Sequence, residues 1–333
     1  MSTPTAITIG TFDGVHIGHA ALVQRCREHV GVDGRVIVLS FDPHPTAVLA
    51  KDRVPPRLTT QARRVELLKG LTDRDGRPCG ADEVVILEPS RELLAQSPER
   101  FIEGVVERHR PSVIVEGPDF GFGKGRTGSV GTLRELGPRF VFEVDVVEPV
   151  QQALRDQTLV RASSTVVRWL VGEGRVRDAA LVLGRPFELP GSVVKGDQRG
   201  REIGIPTANI VSACMSPGDG VYAAIAHLPG GRTHAAAVNI GERPTFEGLA
   251  HRIEAHLLDV GRPSGDAAWA PLPGLPEYGW DITLELIGWV RDQVRFGSPG
   301  ELVAQIQRDI ERVRAIVGPV GPTRGGHLQG ASA

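Results

Sequence analysis

Two hydrophobic rhythms divide this chain. From residue 6 to about residue 180, short apolar runs at Ala6 to Ile9, Val36 to Phe41, Val84 to Leu87, Val113 to Glu116 and Phe140 to Val147 are separated by other segments. In those segments, Ile17 to Val30, Thr60 to Leu71, Pro98 to His109 and Thr132 to Gly137, apolar positions recur at helical spacing. Strand and helix in alternation predict an α/β domain with a parallel sheet covered on both faces and ligands at the carboxyl ends of its strands.

After Leu183-Gly184-Arg185-Pro186 the rhythm changes to consecutive short strands punctuated by Gly, Pro and Asp: Ser192 to Lys195, Val221 to His227, Ala235 to Ile240, Ile253 to Asp259 and Ile282 to Val290. This pattern predicts an antiparallel β-barrel, closed by a helix from Pro299 to Val317. The chain is therefore read as one domain over 1–183, a second over 184–317, and a flexible Gly- and Pro-containing tail over 318–333. Ordering that tail would bury too little apolar surface to offset its entropy.

Composition narrows the reading without choosing a function. A chain of 333 residues with 41% hydrophobic content can bury a sizeable core, and a formal net charge of −2 gives no reason to expect a nucleic-acid partner. Cys26, Cys79 and Cys214 are odd in number and unpatterned, which suggests neither a disulfide framework nor a zinc motif and suits a reducing cytoplasm. No apolar run approaches the roughly 18 residues of a membrane helix, and the N-terminus carries no targeting pattern, so no membrane partner is expected. The oligomeric state is not legible.

Candidate chemistry begins at Gly10-Thr11-Phe12-Asp13-Gly14-Val15-His16-Ile17-Gly18-His19, just after the first strand. A helix starting there exposes unpaired N–H groups and a partial positive charge, which favour phosphate. His16 and His19 can donate to oxygens that gain charge in phosphoryl-type transfer, and Gly18 removes a side chain that would block approach. A two-histidine metal site and simple capping of a turn are the plainer alternatives. Three further constellations fall where this architecture would use them: Phe41-Asp42-Pro43-His44-Pro45 after the second strand, Gly117 to Arg126 after the fourth, and Ser163-Ser164-Thr165 with Arg168 opening a late helix. The last set can converge hydroxyls, N–H groups and a guanidinium on an anion, or simply cap a helix.

The second half has its own set: Gly191 to Gly196, Gly200-Arg201 through Gly204 to Pro206-Thr207-Ala208-Asn209, Asn239-Ile240-Gly241, and Glu254-Ala255-His256. Thr207 and Asn209 offer neutral oxygens suited to a hard cation such as magnesium, and Glu254 is placed to take a proton from an alcohol. Each also has a bland reading, the Pro-Thr-Ala-Asn run as a turn and Glu254 as a solvated strand residue.

The first motif resembles the nucleotidyltransferase signature Gly-x-Phe-Asp-Gly-x-His-x-Gly-His, and the second set resembles the riboflavin kinase module, with Glu254 preceding Leu258-Asp259 as that module requires. In this order, and up to about residue 316, the chain resembles the bifunctional bacterial riboflavin kinase and FAD synthetase family. The resemblance implies a Rossmann-like adenylyltransferase domain followed by a barrel kinase, using ATP as co-substrate and Mg2+, with riboflavin, FMN and FAD as substrates and products. It implies that His16 and His19 contact ATP phosphates, with Gly10, Phe12, Asp13, Gly18, Ser163, Ser164, Thr165 and Arg168 around the triphosphate. His44, Asp119 and Phe120 would lie near the flavin. In the kinase half, Gly196 and Gly204 would line the nucleotide, Thr207 and Asn209 would hold Mg-ATP, and Glu254 would activate the ribityl hydroxyl.

The sequence departs from the family pattern in three places. Gly121 stands where members commonly have an arginine, Val260 to Glu277 is a longer connection than usual, and Thr72 to Gly80 is a smaller insertion. Two rivals remain: a nucleotidyltransferase for another phosphorylated metabolite, and a non-catalytic flavin-binding sensor or carrier. The kinase-like half counts against the first, and the intact Glu254, His16 and His19 against the second.

Overall fold

The computed structural model describes residues 3–202, 204–245, 248–260 and 272–319. Two compact units emerge, one through Ser164 and one from Thr165 onward.

In the first unit, β1 (Thr5–Gly10), β2 (Arg35–Phe41), β3 (Glu83–Leu87), β4 (Val113–Glu116) and β5 (Glu143–Val146) form one sheet in the order β3-β2-β1-β4-β5. Every pairing in it is parallel. Because both faces of a parallel sheet are covered, β1 and β2 are buried almost along their whole length. On one face, Val23, Cys26 and Val30 of α1 (Ile17–Val30) and Leu67 and Leu68 of α2 (Gln61–Lys69) pack against Ala6, Val36, Val38 and Val115. On the other, Phe101, Ile102 and Val105 of α3 (Pro98–His109) and Leu133 of α4 (Val130–Phe140) pack against Ile7, Ile9, Ile37 and Ile114. The strand order reverses between β1 and β4, which opens a crevice where the loops after those strands diverge.

Most predicted elements stand, α1 and α3 with the expected bounds. The expected strand from Phe140 to Val147 stands in shortened form, as β5. Its first residue belongs to α4, Val141 ends that helix in a left-handed conformation (φ 61°), and β5 begins at Glu143. The amide of Phe142 donates to the Gly137 carbonyl at 3.1 Å, so the helix C-terminus is satisfied by residues that read locally as strand.

In the second unit, β6 (Phe187–Val194), β7 (Ala208–Val211), β8 (Gly220–Leu228), β9 (Arg232–Thr245), β10 (Gly248–Leu257) and β11 (Asp281–Arg291) close a barrel in the order β6-β7-β10-β9-β8-β11. Its pairings are antiparallel throughout. Helix α5 (Ser164–Gly172) leads into this unit, and α6 (Val176–Leu183) buries Val176, Ala179, Val182 and Leu183 within it. The change in packing at residue 165 and the change in strand rhythm near 184 are thus separate events along the chain. The terminal helix α7 (Pro299–Val317) has the expected bounds, and its Ile310 and Val313 cover Ala223, Ala235 and Leu258. Most of the Val260 to Glu277 insertion and nearly all of the tail from 318 onward lie outside the described residues.

Candidate active sites

The signature loop emerges from the middle strand of the parallel sheet, at the crevice. His16 is the N-cap of α1: its Nδ1 accepts the amide of His19 at 3.3 Å, and His19 Nδ1 accepts the amide of His16 at 3.4 Å. The two rings stack with centroids 3.6 Å apart, and the Phe12 ring lies 4.9 Å from that of His19. With both Nδ1 atoms accepting from backbone, each neutral ring carries its proton on Nε2, which becomes the donating end. No acidic residue occupies the first turn of α1, so nothing there opposes an approaching anion. Gly18 lies close under the His16 ring, where an added Cβ would sit 3.1 Å away and press on the ring.

Asp13 points the other way. Its carboxylate accepts the amides of Leu58 and Thr59, at 3.0 Å for the nearest oxygen in each case, and the Thr59 hydroxyl at 3.1 Å. Phe12, only 1% exposed, joins the core, and Gly10 ends β1. These residues shape the turn that presents the histidines. The Ser164 hydroxyl, at the start of α5, donates to the Asp13 carbonyl at 2.7 Å, which brings the Ser163-Ser164 segment to the signature loop. Thr165 and Arg168 continue that helix in the second unit.

On the neighbouring loops, His44 Nδ1 meets the Thr46 hydroxyl at 2.7 Å and accepts the Thr46 amide at 3.3 Å. Asp119 is exposed and pairs with Arg161, while Phe120 stacks on Phe122 at 5.2 Å. At Gly121, where the resemblance implies an arginine, there is room that the Arg126 guanidinium fills, its Nε 3.0 Å from where a Cβ would lie. Behind the crevice Glu116 closes β4 and accepts the Ile9 amide at 2.6 Å. Burial pushes its carboxyl well above the usual carboxylate range.

The barrel builds its candidate site from strand faces. Asn209 of β7 and Asn239 of β9 are both register partners of Glu254 on β10, so residues up to 45 apart in sequence stand side by side on three adjacent strands. Ile253 and Ala255 face the core, which places Glu254 on the opposite face with its two same-face neighbours, Arg252 and His256. Arg252 Nε lies 3.0 Å from Glu254 Oε1 and 2.9 Å from Asn209 Oδ1, and its Nη1 reaches Asp197 at 3.1 Å. His256 Nδ1 contacts the Pro206 carbonyl at 2.8 Å, next to Thr207. Gly196 lets the Asn209 side chain lie against the backbone, because a Cβ there would fall 2.1 Å from its amide nitrogen and displace it. Gly204 lies in the preceding loop with a left-handed backbone. The Pro-Thr-Ala-Asn run leads into a strand rather than being only a turn. The expected strands omitted it because β7 has just four residues and only Ile210 of them is buried.

Sequence reasoning passed over Arg252 and Thr59. Alternation with Glu254 on a strand was the available signal for Arg252. Nothing local marks Thr59, whose partner is 46 residues away.

A parallel sheet with a helix N-terminus at its crevice, joined to a barrel with a carboxylate between amides, is an arrangement suited to a nucleotide-dependent transferase of two units. Residues 1–161 match the FAD synthetase family model and residues 183–317 the riboflavin kinase family model. The bifunctional riboflavin kinase/FMN adenylyltransferase of Escherichia coli (strain K12) is 36% identical over 323 residues, 95% of this chain and 94% of that one. The enzyme of that description from Haemophilus influenzae is 30% identical over 313 residues, 93% of each chain. The chain belongs to the bifunctional riboflavin kinase/FMN adenylyltransferase family. A solved Streptococcus pneumoniae structure described as a macrolide-efflux protein shares the fold, with a TM-score of 0.79, 26% identity and coverage of 94% of this chain and 95% of that one. Among the described residues of this chain, no helix is long and apolar enough to cross a membrane.

Proposed function

We propose that this chain makes FAD from riboflavin in two steps, phosphorylation in the domain over 184–317 and adenylylation in the domain over 1–183. The observation that supports it best is the register that sets Glu254 between Asn209 and Asn239, because an alcohol needs a positioned base whereas a phosphate does not. In the first step the 5′-hydroxyl oxygen of riboflavin attacks the γ-phosphorus of ATP, the bond to the β,γ-bridging oxygen breaks, and Glu254 accepts the hydroxyl proton. FMN and ADP result.

In the second step an FMN phosphate oxygen attacks the α-phosphorus of ATP and pyrophosphate leaves. His16 and His19 donate to phosphate oxygens through Nε2, with the amides at the start of α1 and the Ser163, Ser164, Thr165 and Arg168 set holding the triphosphate. His44, Asp119 and Phe120 border the flavin. Asp13 and Phe12 act by fixing the turn.

Magnesium fits the kinase donors. Among the described residues no group of three or more His, Cys, Asp or Glu side chains gathers as a metal cage. The Thr207 hydroxyl and the Asn209 amide oxygen are hard donors, and Asn209 Oδ1, which already accepts Arg252 Nε at 2.9 Å, has one further lone pair to offer, as suits a cation held mainly by nucleotide phosphates. When bound it neutralises phosphate charge. A cytoplasmic setting agrees with the three buried free cysteines.

Incubation of the protein with riboflavin, ATP and magnesium, followed by chromatography of the flavins, tests the reading. FMN and then FAD are expected. Riboflavin bound but unchanged would defeat it in favour of a carrier, and no flavin product at all would favour a nucleotidyltransferase for another phosphorylated metabolite.

A further inference from the structure

The geometry points to Arg64 as a positioning residue for adenylylation, one that holds the loops carrying His16, His19 and His44 in fixed relation. This inference rests on the proposed role of those loops. Arg64 is on α2, and its side chain is 3% exposed. Its Nη1 donates to the Thr11 carbonyl at 2.8 Å, the Phe41 carbonyl at 2.9 Å and the Ser40 hydroxyl at 3.2 Å. Its Nη2 lies 3.4 Å from Asp42 Oδ1, which Arg57 also reaches at 2.9 Å. Thr11 follows β1 and Phe41 ends β2, so a single nitrogen ties together the exits of two adjacent strands.

Those exits need holding. Immediately after Thr11, Phe12 has φ 50°, and Val15 has φ 43°, left-handed conformations that cost a side-chain-bearing residue energy and persist only when the surroundings over-determine them. The segment from Arg57 to Arg64 supplies that determination at several points. Thr59 Oγ1 accepts the Gly14 amide at 3.1 Å, Asp13 grips the Leu58 and Thr59 amides, and Arg64 fixes the Thr11 carbonyl. Thr60 starts the helix by accepting the Arg63 amide at 3.3 Å, which directs Arg64 inward with Leu67 and Leu68. Among the described residues, Arg64 Nε is buried without a partner. The guanidinium is therefore placed by the oxygens at its tip and not by satisfaction of all its own donors.

The chemistry suggests two informative substitutions in the full chain. Arg64→Met keeps length and apolar contact but leaves the Thr11 and Phe41 carbonyls without this donor. Arg64→Lys supplies an ammonium with three donors for the three oxygens now served by Nη1. Loose loops misplace groups in the transition state more than they weaken ground-state binding. For Arg64→Met, kcat for FMN adenylylation is expected to fall by about tenfold to a hundredfold with KM for ATP changed by less than about threefold. Arg64→Lys should recover most of the rate, and riboflavin phosphorylation in the same preparations should be unchanged.

Amide hydrogen exchange reads the brace independently of activity. In Arg64→Met, Phe12 to His16 and the Phe41 to Thr46 segment should exchange at least about tenfold faster while Ile7 to Ile9 of β1 keep parental protection. Parental exchange and kcat in a folded Arg64→Met protein would overturn the proposal. So would a loss confined to KM, equal damage in the Lys variant, or faster exchange throughout the sheet, which marks simple destabilisation. A parent chain inactive on FMN would instead remove the functional reading, and the exchange comparison alone would then decide whether Arg64 positions the loops.

Discussion

Under the proposed function, the turn after β1 and the strand face around Glu254 serve phosphate chemistry by different structural means. In the first unit the working groups sit on loops and a helix terminus at the end of a parallel sheet, and the side chains nearest them, Asp13 and Phe12, are spent on shaping the backbone. In the barrel the working groups are side chains standing in register on three strands, and the backbone is occupied by its own ladder. Gathering negative oxygens favours exposed N–H groups, which a helix N-terminus has and a closed barrel lacks. Removing a proton favours one carboxylate held at a fixed place, which a strand supplies.

The sharpest way to break this comparison is to remove the carboxylate. Glu254→Gln keeps shape and hydrogen-bonding capacity, so riboflavin phosphorylation should fall by about two orders of magnitude or more while supplied FMN is still adenylylated. Steady-state rates for each half-reaction decide it. Equal loss of both would mean a shared site, and parental kinase activity would place the base elsewhere.

His19→Ala makes the converse cut. It removes one phosphate donor and one side of the reciprocal cap on α1, so FAD formation should drop by roughly a hundredfold with FMN accumulating from riboflavin. A folded variant that makes FAD at the parental rate would remove the histidine from the phosphate-contact set.

What could be read from sequence follows from how locally each feature is determined. Helix α1 was legible because its cap, its first turn and its apolar spacing all lie between His16 and Val30. The barrel strands were legible in kind, but β7 was not, since its pairing with β6 and β10 contributes what its own four residues cannot show. Candidate residues were found where a motif concentrates them. Arg64 was read as part of an ordinary helix, although its spacing to Leu67 and Leu68 puts it on the buried stripe, and that was the signal to follow. Asp13 was found for its motif, yet its use as a clamp depends on a segment 45 residues away.

The separateness of the two units can be sharpened by choosing where to cut. A fragment over 184–317 contains the proposed metal donors and base but lacks α6, whose Val176, Val182 and Leu183 are buried within the barrel unit. Their loss should cost roughly 4 kcal/mol or more. A fragment over 163–317 should therefore melt on the order of 10 °C higher. Both should phosphorylate riboflavin when folded. Equal melting temperatures would show that the strand rhythm alone marks the folding unit.

The smallest effect separates the units by pH. In the first unit Glu116 is buried behind the crevice and accepts the Ile9 amide, and burial raises its pKa well above the carboxylate range. The folded chain thus keeps a proton that the unfolded chain releases above about pH 4.3. Between those two pKa values the folded state binds more protons than the unfolded state, so this group's contribution to stability declines as pH rises. Glu116→Gln keeps an oxygen acceptor for Ile9 and cannot ionise, so it removes that decline. Melting curves of variant and parent should show the first unit of the variant gaining on the parent as pH rises above about 5, with the barrel unchanged. A difference that does not vary with pH would mean the Glu116 carboxyl is not held protonated in the folded chain.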